Sequence, residues 1–282
     1  MYTPAHRAAV IELAKRCLLP QDAAEAEAIV DILTRATFGA VSEVDGKLQG
    51  VALASAGHKD EAVAHLDLLL VDPAVRRQGI ARGLLADVER QAKKRGLGTI
   101  KVAGNAPDYA WPGVDVHYTA AICALTAAGY THERTAWNMT AQLPVKPRPA
   151  RPAPEGVVIR RVAEADLELL LPMVHEQWGP AWTVEVERAF SKGGVHAAFR
   201  GEHPIAFAAW GGCRPSWFGP MGTLPAASGT GLGSVLLRLC LDDQAALGLT
   251  SAQIGWVGPV PFYANAADAI IDRVFFLFTK QL

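Results

Sequence analysis

Apolar and polar residues alternate along this chain with two periods, and the switches between them outline its elements. Residues 4–17 and 22–36 carry apolar side chains at helical spacing. They predict two helices, with Pro20 and Asp22 at the entry to the second. Runs with strand character over 38–44 and 48–56 flank Asp45-Gly46, the pattern of a tight hairpin. Residues 63–71 add a third strand, and its last six residues are apolar except for Asp67, as expected of a strand buried on both faces. Asp72-Pro73 stops it, because proline removes a ladder donor and fixes its own φ. A helix over 79–95 ends at Gly96 and Gly98. A strand over 99–103, a helix over 118–128 closed by Gly129, and closing strands over 130–143 follow.

The same order then recurs at low similarity. Residues 157–162 predict a strand and 165–177 a helix. Residues 196–200 and 204–213 form a hairpin around Gly201-Glu202, and 217–223 a further strand. Pro225 interrupts, and a glycine-rich stretch over 228–233 leads into a helix through Leu247. A strand over 251–256, a short helix over 261–267 and a terminal strand region over 270–280 complete the half. Between the halves, PVKPRPARPAPEG has five prolines and no apolar periodicity, which predicts an extended, semi-rigid linker. The expected organisation is therefore a domain over 1–143, a linker over 144–156 and a domain over 157–282.

Composition narrows the class. A length of 282 residues, half of them hydrophobic and 20% charged, suits two globular domains with real cores rather than disorder. Lys plus Arg number 27 against 28 Asp plus Glu, so no overall basic field recruits nucleic acid or an anionic membrane. Cys17, Cys123, Cys213 and Cys240 are scattered without a C-x-x-C pair. That argues against a zinc site or a disulfide framework, so no metal is expected, and it suits a reducing compartment. The opening MYTPAHRAAVIELAKRC is too polar for a signal peptide, and no apolar run approaches about 18 residues. A soluble, cytoplasmic protein is expected.

The chemistry concentrates after the Asp-Pro stop. Arg76, Arg77, Gln78, Gly79, Ile80, Ala81 and Arg82 link a buried strand to an amphipathic helix. Backbone N–H groups of such a loop and first helical turn converge on one point, where the helix dipole favours negative charge. Gly79 lets an anion approach with no Cβ in the way. No Gly-Lys-Ser/Thr follows, which argues against a P-loop ATPase.

Strand, stop, loop and helix in this order, with residues 76–81 matching Arg/Gln-x-x-Gly-x-Gly/Ala, resemble the GNAT family of acyl-CoA-dependent N-acetyltransferases. The repeated order extends the resemblance to a tandem pair, similar in organisation to mycothiol synthases and other bacterial two-domain GNAT enzymes. The resemblance implies an α/β (α+β) fold of two GNAT-like domains, each a mixed, mostly antiparallel sheet flanked by helices. It also implies acetyl-CoA as co-substrate. The strand residues Leu69, Leu70 and Val71 would pair with the pantetheine arm, and Arg76, Arg77, Gln78, Gly79, Ile80, Ala81 and Arg82 would grip the pyrophosphate. Asn105, after the next strand, is a further contact candidate, and Gly229, Gly231 and Gly233 form the second loop, where Ser228 and Thr230 stand in place of basic residues.

The family's usual acid is a tyrosine four residues before a Gly-Phe or Gly-Tyr pair. In the first half that position is Leu125, which cannot donate a proton; Tyr118, Tyr109 and His117 are the nearby donors. In the second half the position is Tyr263, with Asp268 nearby and no Gly-Phe pair. Candidate bases are Glu61, His65, Asp67 and Asp115. Trp178, Trp182, Trp210, Trp217 and Trp256 cluster in the second half, as core residues or as walls for a sugar ring. The family's first strand is not evident before residue 38, and another segment of the chain is a candidate to fill it. Three readings stay open: an N-acetyltransferase for a small-molecule primary amine such as an amino sugar, an acyl-CoA-binding or sensing protein without turnover, and a protein or peptide N-acetyltransferase.

Overall fold

The computed structural model describes residues 1–35, 37–148 and 152–282. A short 3-10 turn precedes helix α1 (Arg7–Cys17), and the second predicted helix is split by a turn into α2 (Pro20–Ala23) and α3 (Ala26–Leu33). Strands β1 (Thr37–Val44), β2 (Lys47–Ala56) and β3 (Val63–Val71) form the meander. Helix α4 (Ile80–Lys94), β4 (Thr99–Val102), a two-residue strand β5 (Val114–Asp115), α5 (Thr119–Ala127) and β6 (Thr131–Gln142) follow. The remainder comprises β7 (Val157–Arg161), α6 (Leu167–Trp178), α7 (Pro180–Lys192), β8 (Gly194–Arg200), β9 (His203–Trp210), β10 (Trp217–Thr223), α8 (Leu232–Ala246), β11 (Ser251–Ile254), α9 (Val260–Ala267) and β12 (Ile270–Gln281). Neither β5 nor α7 is expected from the sequence pattern, β5 because it is too short to show a period.

Two compact units result, Met1–Ala136 with Arg273–Leu282, and Trp137–Asp272. The chain passes from one to the other within β6 and returns within β12. Residues 273–282, which the sequence reading assigns to the second domain, thus complete the first unit, and residues 137–143 go to the second. In the first unit the sheet order is β1-β2-β3-β4-β12, with β5 also on β12. Phe276 and Phe278 of β12 pack on the core formed by Leu84, Leu85 and Val88 of α4 together with Ala54, Leu66 and Ile100. The edge strand is β1, and the late segment that joins this sheet lies beside β4, not beside β1.

In the second unit the order is β6-β11-β10-β9-β8-β7. Met139 and Ala141 of β6 join its core with Leu236, Leu237 and Leu241 of α8, and Asn138 Nδ2 donates to Gln253 at 2.9 Å. The apolar pattern of a strand reports which of its faces is buried, not which sheet it joins. The proline-rich segment is anchored before its undescribed residues 149–151. Val145 is buried in the second core, Arg238 donates to the Lys146 carbonyl, and Arg148 pairs with Asp268. Among the described residues, no helix is long and apolar enough to cross a membrane.

One buried acid of the second unit leads to a stability prediction. Glu185 of α7 is 4% exposed, and burial pushes its carboxyl up to about 7 despite a hydrogen bond with Cys213 and the charge of Arg188. The folded value lies above the unfolded one, so its contribution to stability is full below the ordinary range near 4.5 and is lost as pH rises to 7. At about 1.4 kcal/mol per unit, Glu185→Gln should gain up to roughly 3 kcal/mol over the parent at pH 8 and little at pH 4. Urea titrations at the two pH values measure the difference.

Candidate active site

A cavity of about 1310 Å³ opens in the first unit between β3 and the segment that continues β4. Two departures from regular pairing create it. Strands β3 and β4 run parallel and pair only at Val63–Thr99, Ala64–Ile100 and His65–Lys101, then diverge. On its other edge β3 keeps its partner β2, but Leu66 and Leu68 oppose consecutive residues, Ala54 and Leu53, so Asp67 is an inserted bulge residue. The core contacts show the same skip. Ala64 and Leu66 face the α4 side, and beyond the bulge it is Leu69 and Val71 that do so. The bulge turns Asp67 toward Ser55, and the divergence from β4 frees one edge of the strand. Leu69, Leu70 and Val71 line the cavity.

At the top of β3 the loop is preset. Asp72 caps a 3-10 turn by accepting from Ala74 N at 3.0 Å, and Arg76 Nε donates to the Val71 carbonyl at 3.1 Å. Arg77 then adopts φ 68° and Gly79, the N-cap of α4, φ 81°. Left-handed residues among extended ones aim successive N–H groups inward as an anion nest. Arg77 carries a side chain where glycine is favoured, a strain of about 1–3 kcal/mol. A Cβ on Gly79 would meet only Arg82 Nη2, at 3.5 Å, so a guanidinium lies over the nest. Residues 76–82 all line the cavity.

Below the loop, Asp67 is the titratable group at the divergence point. Its Oδ2 is shut off from solvent and has no hydrogen-bond partner. Burial holds its carboxyl well above the usual carboxylate range, and Asp108 adds to this; the hydrogen bond from Ser55 opposes it. Asn105 is fully engaged: its Nδ2 donates to Ser55 Oγ and the Ala56 carbonyl, both at 2.9 Å, and its Oδ1 accepts from His58 N at 3.0 Å. Asn105 therefore ties β2 to the cavity wall and holds the Ser55 that holds Asp67. His65 is turned away to the Ala103 carbonyl at 2.9 Å, and burial lowers its basicity.

The far wall is β5 and α5. Leu125 is buried in the core. Tyr118 lies seven residues, two helical turns, before it. Its hydroxyl accepts from Leu19 N at 2.9 Å and donates to Asp22 Oδ2 at 3.0 Å. Burial and the neighbouring Asp22 charge raise this phenol far above its ordinary value, so its proton stays in place. Asp22 and Asp115, both fully buried, share Arg273. Its Nη1 and Nη2 reach Asp22 at 2.8 Å each, and its Nε reaches Asp115 Oδ2 at 2.6 Å. Burial works against the Arg273 charge, but these bonds outweigh it and hold the guanidinium above its normal range. On the cavity side, Asp115 Oδ1 accepts from His117 N at 2.9 Å and faces His117 Nδ1 at 2.7 Å.

The second unit repeats the loop backbone without its chemistry. Gly229 and Gly231 adopt φ 77° and 86°, matching Arg77 and Gly79. Strands β10 and β11 likewise pair at only two positions before parting. Apolar side chains stand close to the start of this helix: a Cβ on Gly233 would meet Met221 at 3.3 Å and Phe262 at 3.4 Å. Tyr263 is a core residue, with its ring edge-on to Phe218 and Phe262 and its phenol pushed up to about 12 by burial alone. Trp178 and Trp182 stack on each other over Phe207. The structure thus brings residues 69–71, 76–82, Asn105 and Tyr118 together and leaves Tyr263, Gly229, Gly231 and Gly233 in the other unit. From the sequence Asp22 reads only as a helix entry and Arg273 is not singled out; its one signal is an arginine beside a long apolar strand run, in IIDRVFFLF.

Residues 8–110 match the model of the acetyltransferase (GNAT) family. No curated protein sequence gives a significant match. Among solved structures, 99% of the chain superposes with a TM-score of 0.75 and 15% identity on a GCN5-related glucosamine N-acetyltransferase region of a fungal multi-domain beta-N-acetylglucosaminidase, of which it spans 37%. A GCN5-related N-acetyltransferase from Sphaerobacter thermophilus gives a TM-score of 0.70 at 18% identity, with 99% of this chain and 94% of that one covered. A tandem GNAT protein from the clavulanic acid biosynthesis pathway gives 0.69 at 16% identity, with 98% and 95% covered. The sequence pattern of that family thus lies in residues 8–110 of the first unit, and along the whole chain the likeness to these structures is one of fold.

Proposed function

We propose that this protein transfers an acetyl group from acetyl-CoA to a primary amine of a small molecule, with an amino sugar as the first candidate, in the cleft of the first unit. The observation that carries this reading is the splayed, bulged β3 ending in a nest of N–H groups ringed by three arginines. The residues fit the co-substrate. The nest around Gly79 suits a pyrophosphate, the free edge of β3 suits an amide-bearing arm, and about 1310 Å³ exceeds the 300–1,000 Å³ usual for one ligand, leaving room for an acceptor. When bound, acetyl-CoA supplies an activated acyl thioester. The loop N–H groups and Arg76, Arg77 and Arg82 would anchor the phosphates. The backbone of residues 69–71 would orient the arm and offer an N–H to the acyl oxygen. Burial raises the Asp67 carboxyl well above the usual carboxylate range, so with leucine at position 125 it would be the donor to serve the departing sulfur.

The amino-sugar choice draws on the glucosamine N-acetyltransferase region named above. The five tryptophans of the second half do not line this cleft; Trp111 does. Calorimetry with acetyl-CoA followed by turnover against a panel of amines, glucosamine among them, tests the reading. One site per chain with thiol release is the expected result. Binding without turnover would favour an acyl-CoA-binding protein, turnover of lysine peptides alone a protein acetyltransferase, and absence of binding would remove all three.

Arg77→Gly separates the loop's two properties. Loss of one charge-assisted contact, about 1.5–3 kcal/mol, should weaken CoA roughly 10- to 100-fold. The melting temperature should not fall, because relief of the left-handed strain offsets glycine's extra unfolded-chain entropy of about 0.4–1 kcal/mol.

A further inference from the structure

Asp115, buried beneath the cleft, does not stand alone. Its Oδ2 is held by Arg273 at 2.6 Å, and Arg273 is tied in turn to Asp22. Its Oδ1 meets both the backbone N and ring Nδ1 of His117. The imidazole is 60% exposed and lines the cavity. A carboxylate fixed in this way demands the proton on Nδ1, which leaves the Nε2 lone pair as the free end of the ring.

The structure assigns His117 the role of general base: it takes the proton from the acceptor's ammonium group, with Asp115 and Arg273 as positioning residues. The assignment rests on the acetyl-transfer reading above. His117 Nε2 accepts one proton from R–NH3+. The freed amine forms the new C–N bond to the acyl carbon as the C–S bond breaks, and that electron pair stays on sulfur. The Asp67 carboxyl gives the sulfur its proton and regains one from the nitrogen as the amide forms. The imidazolium returns its proton to water, so one proton is released per turnover. The base comes from the residues just before α5, in a unit whose helix lacks the family's tyrosine.

Asp115 on β5 meets the ring directly, and behind it the network continues through Arg273 on β12 to Asp22 on α2 and Tyr118 at the head of α5. Across the cleft stand Asp67 on β3, Cys17 on α1, Cys123 on α5 and the arginines of the loop. Among these, His117 is the one imidazole, so the acid limb of the pH profile is diagnostic.

The test uses the full chain with acetyl-CoA and whichever amine of the panel turns over. His117→Gln should lower kcat about 10²- to 10⁴-fold with CoA affinity unchanged, and should abolish the acid limb of the kcat/KM profile. Asp115→Asn should lower kcat and shift that limb. Nitrogen NMR of His117 should report an Nδ1–H tautomer in the parent and its loss in Asp115→Asn. A His117→Gln variant with the parent's rate and acid limb would overturn the assignment, as would an Nε2–H tautomer in the parent. A parent that binds CoA and shows the expected tautomer yet acetylates no amine would sink the functional reading, and the base role with it.

Discussion

Replacing Arg273 with methionine is expected to cost roughly 3–5 kcal/mol of stability, the range seen when one partner of a buried ion pair is removed. Methionine fills similar volume, so the loss is electrostatic rather than a cavity. Asp22 and Asp115, both without solvent contact, would be left with their charges uncompensated or would have to take up protons. The decisive control is the charge-free set Asp22→Asn, Asp115→Asn and Arg273→Met, in which nothing buried needs a counter-charge. It should recover much of the lost stability in a urea or thermal titration. If Arg273→Met alone unfolds at the parent's midpoint, the network is not what anchors the last strand to the first unit.

The substitution Asp67→Asn should lower kcat about 10²- to 10⁴-fold, the usual weight of one proton-transferring group, with little effect on the KM for acetyl-CoA. Asparagine keeps the shape and the Ser55 contact but has no acidic proton. Its effect on stability runs the other way. The Asp67 carboxyl is raised on folding, so its contribution is full at acid pH and is lost as pH rises through the folded value. The amide has no such dependence, and the variant should melt higher than the parent at neutral and alkaline pH. Activity and stability therefore move in opposite directions, as they should where a buried group is kept for chemistry. A variant that turns over normally would remove Asp67 from the reaction; one that is inactive and also less stable would mark it as a structural residue.

Much of this fold is legible from local pattern. The run 63–71 matches the observed third strand, and the loop and helix after it fall where Asp72-Pro73 and Gly79 place them. These features rest on short-range sterics: proline's missing donor, glycine's access to positive φ, and an apolar run too continuous for a surface strand. Asp67 is legible as an exception within that run, but its bulge is not, because a bulge is a mismatch between two strands. Asn105 reads as a contact candidate. In the fold its three hydrogen bonds are already committed to Ser55, Ala56 and His58.

Tyr263 shows the limit of matching by position. Its spacing is that of the family's acid, but spacing carries no account of what stands opposite. In the second unit Tyr263 lies in a core against which Met221 and Phe262 pack, while the first unit has a cavity lined by its loop. Side chains far apart in sequence decide whether a cleft exists, and no periodicity reports them.

By itself, then, the sequence determined the order of elements in each half, the basic glycine-bearing loop at residues 76–82 and the family to which they point, because each depends on residues within a few positions of one another. The tertiary structure alone decided how the cavity beside that loop is walled, which sheet each closing strand completes, and which acids are paired. Arg273 is the clearest case. It lies about 250 positions from Asp22, and only the return of β12 into the first unit makes it the counter-charge behind His117.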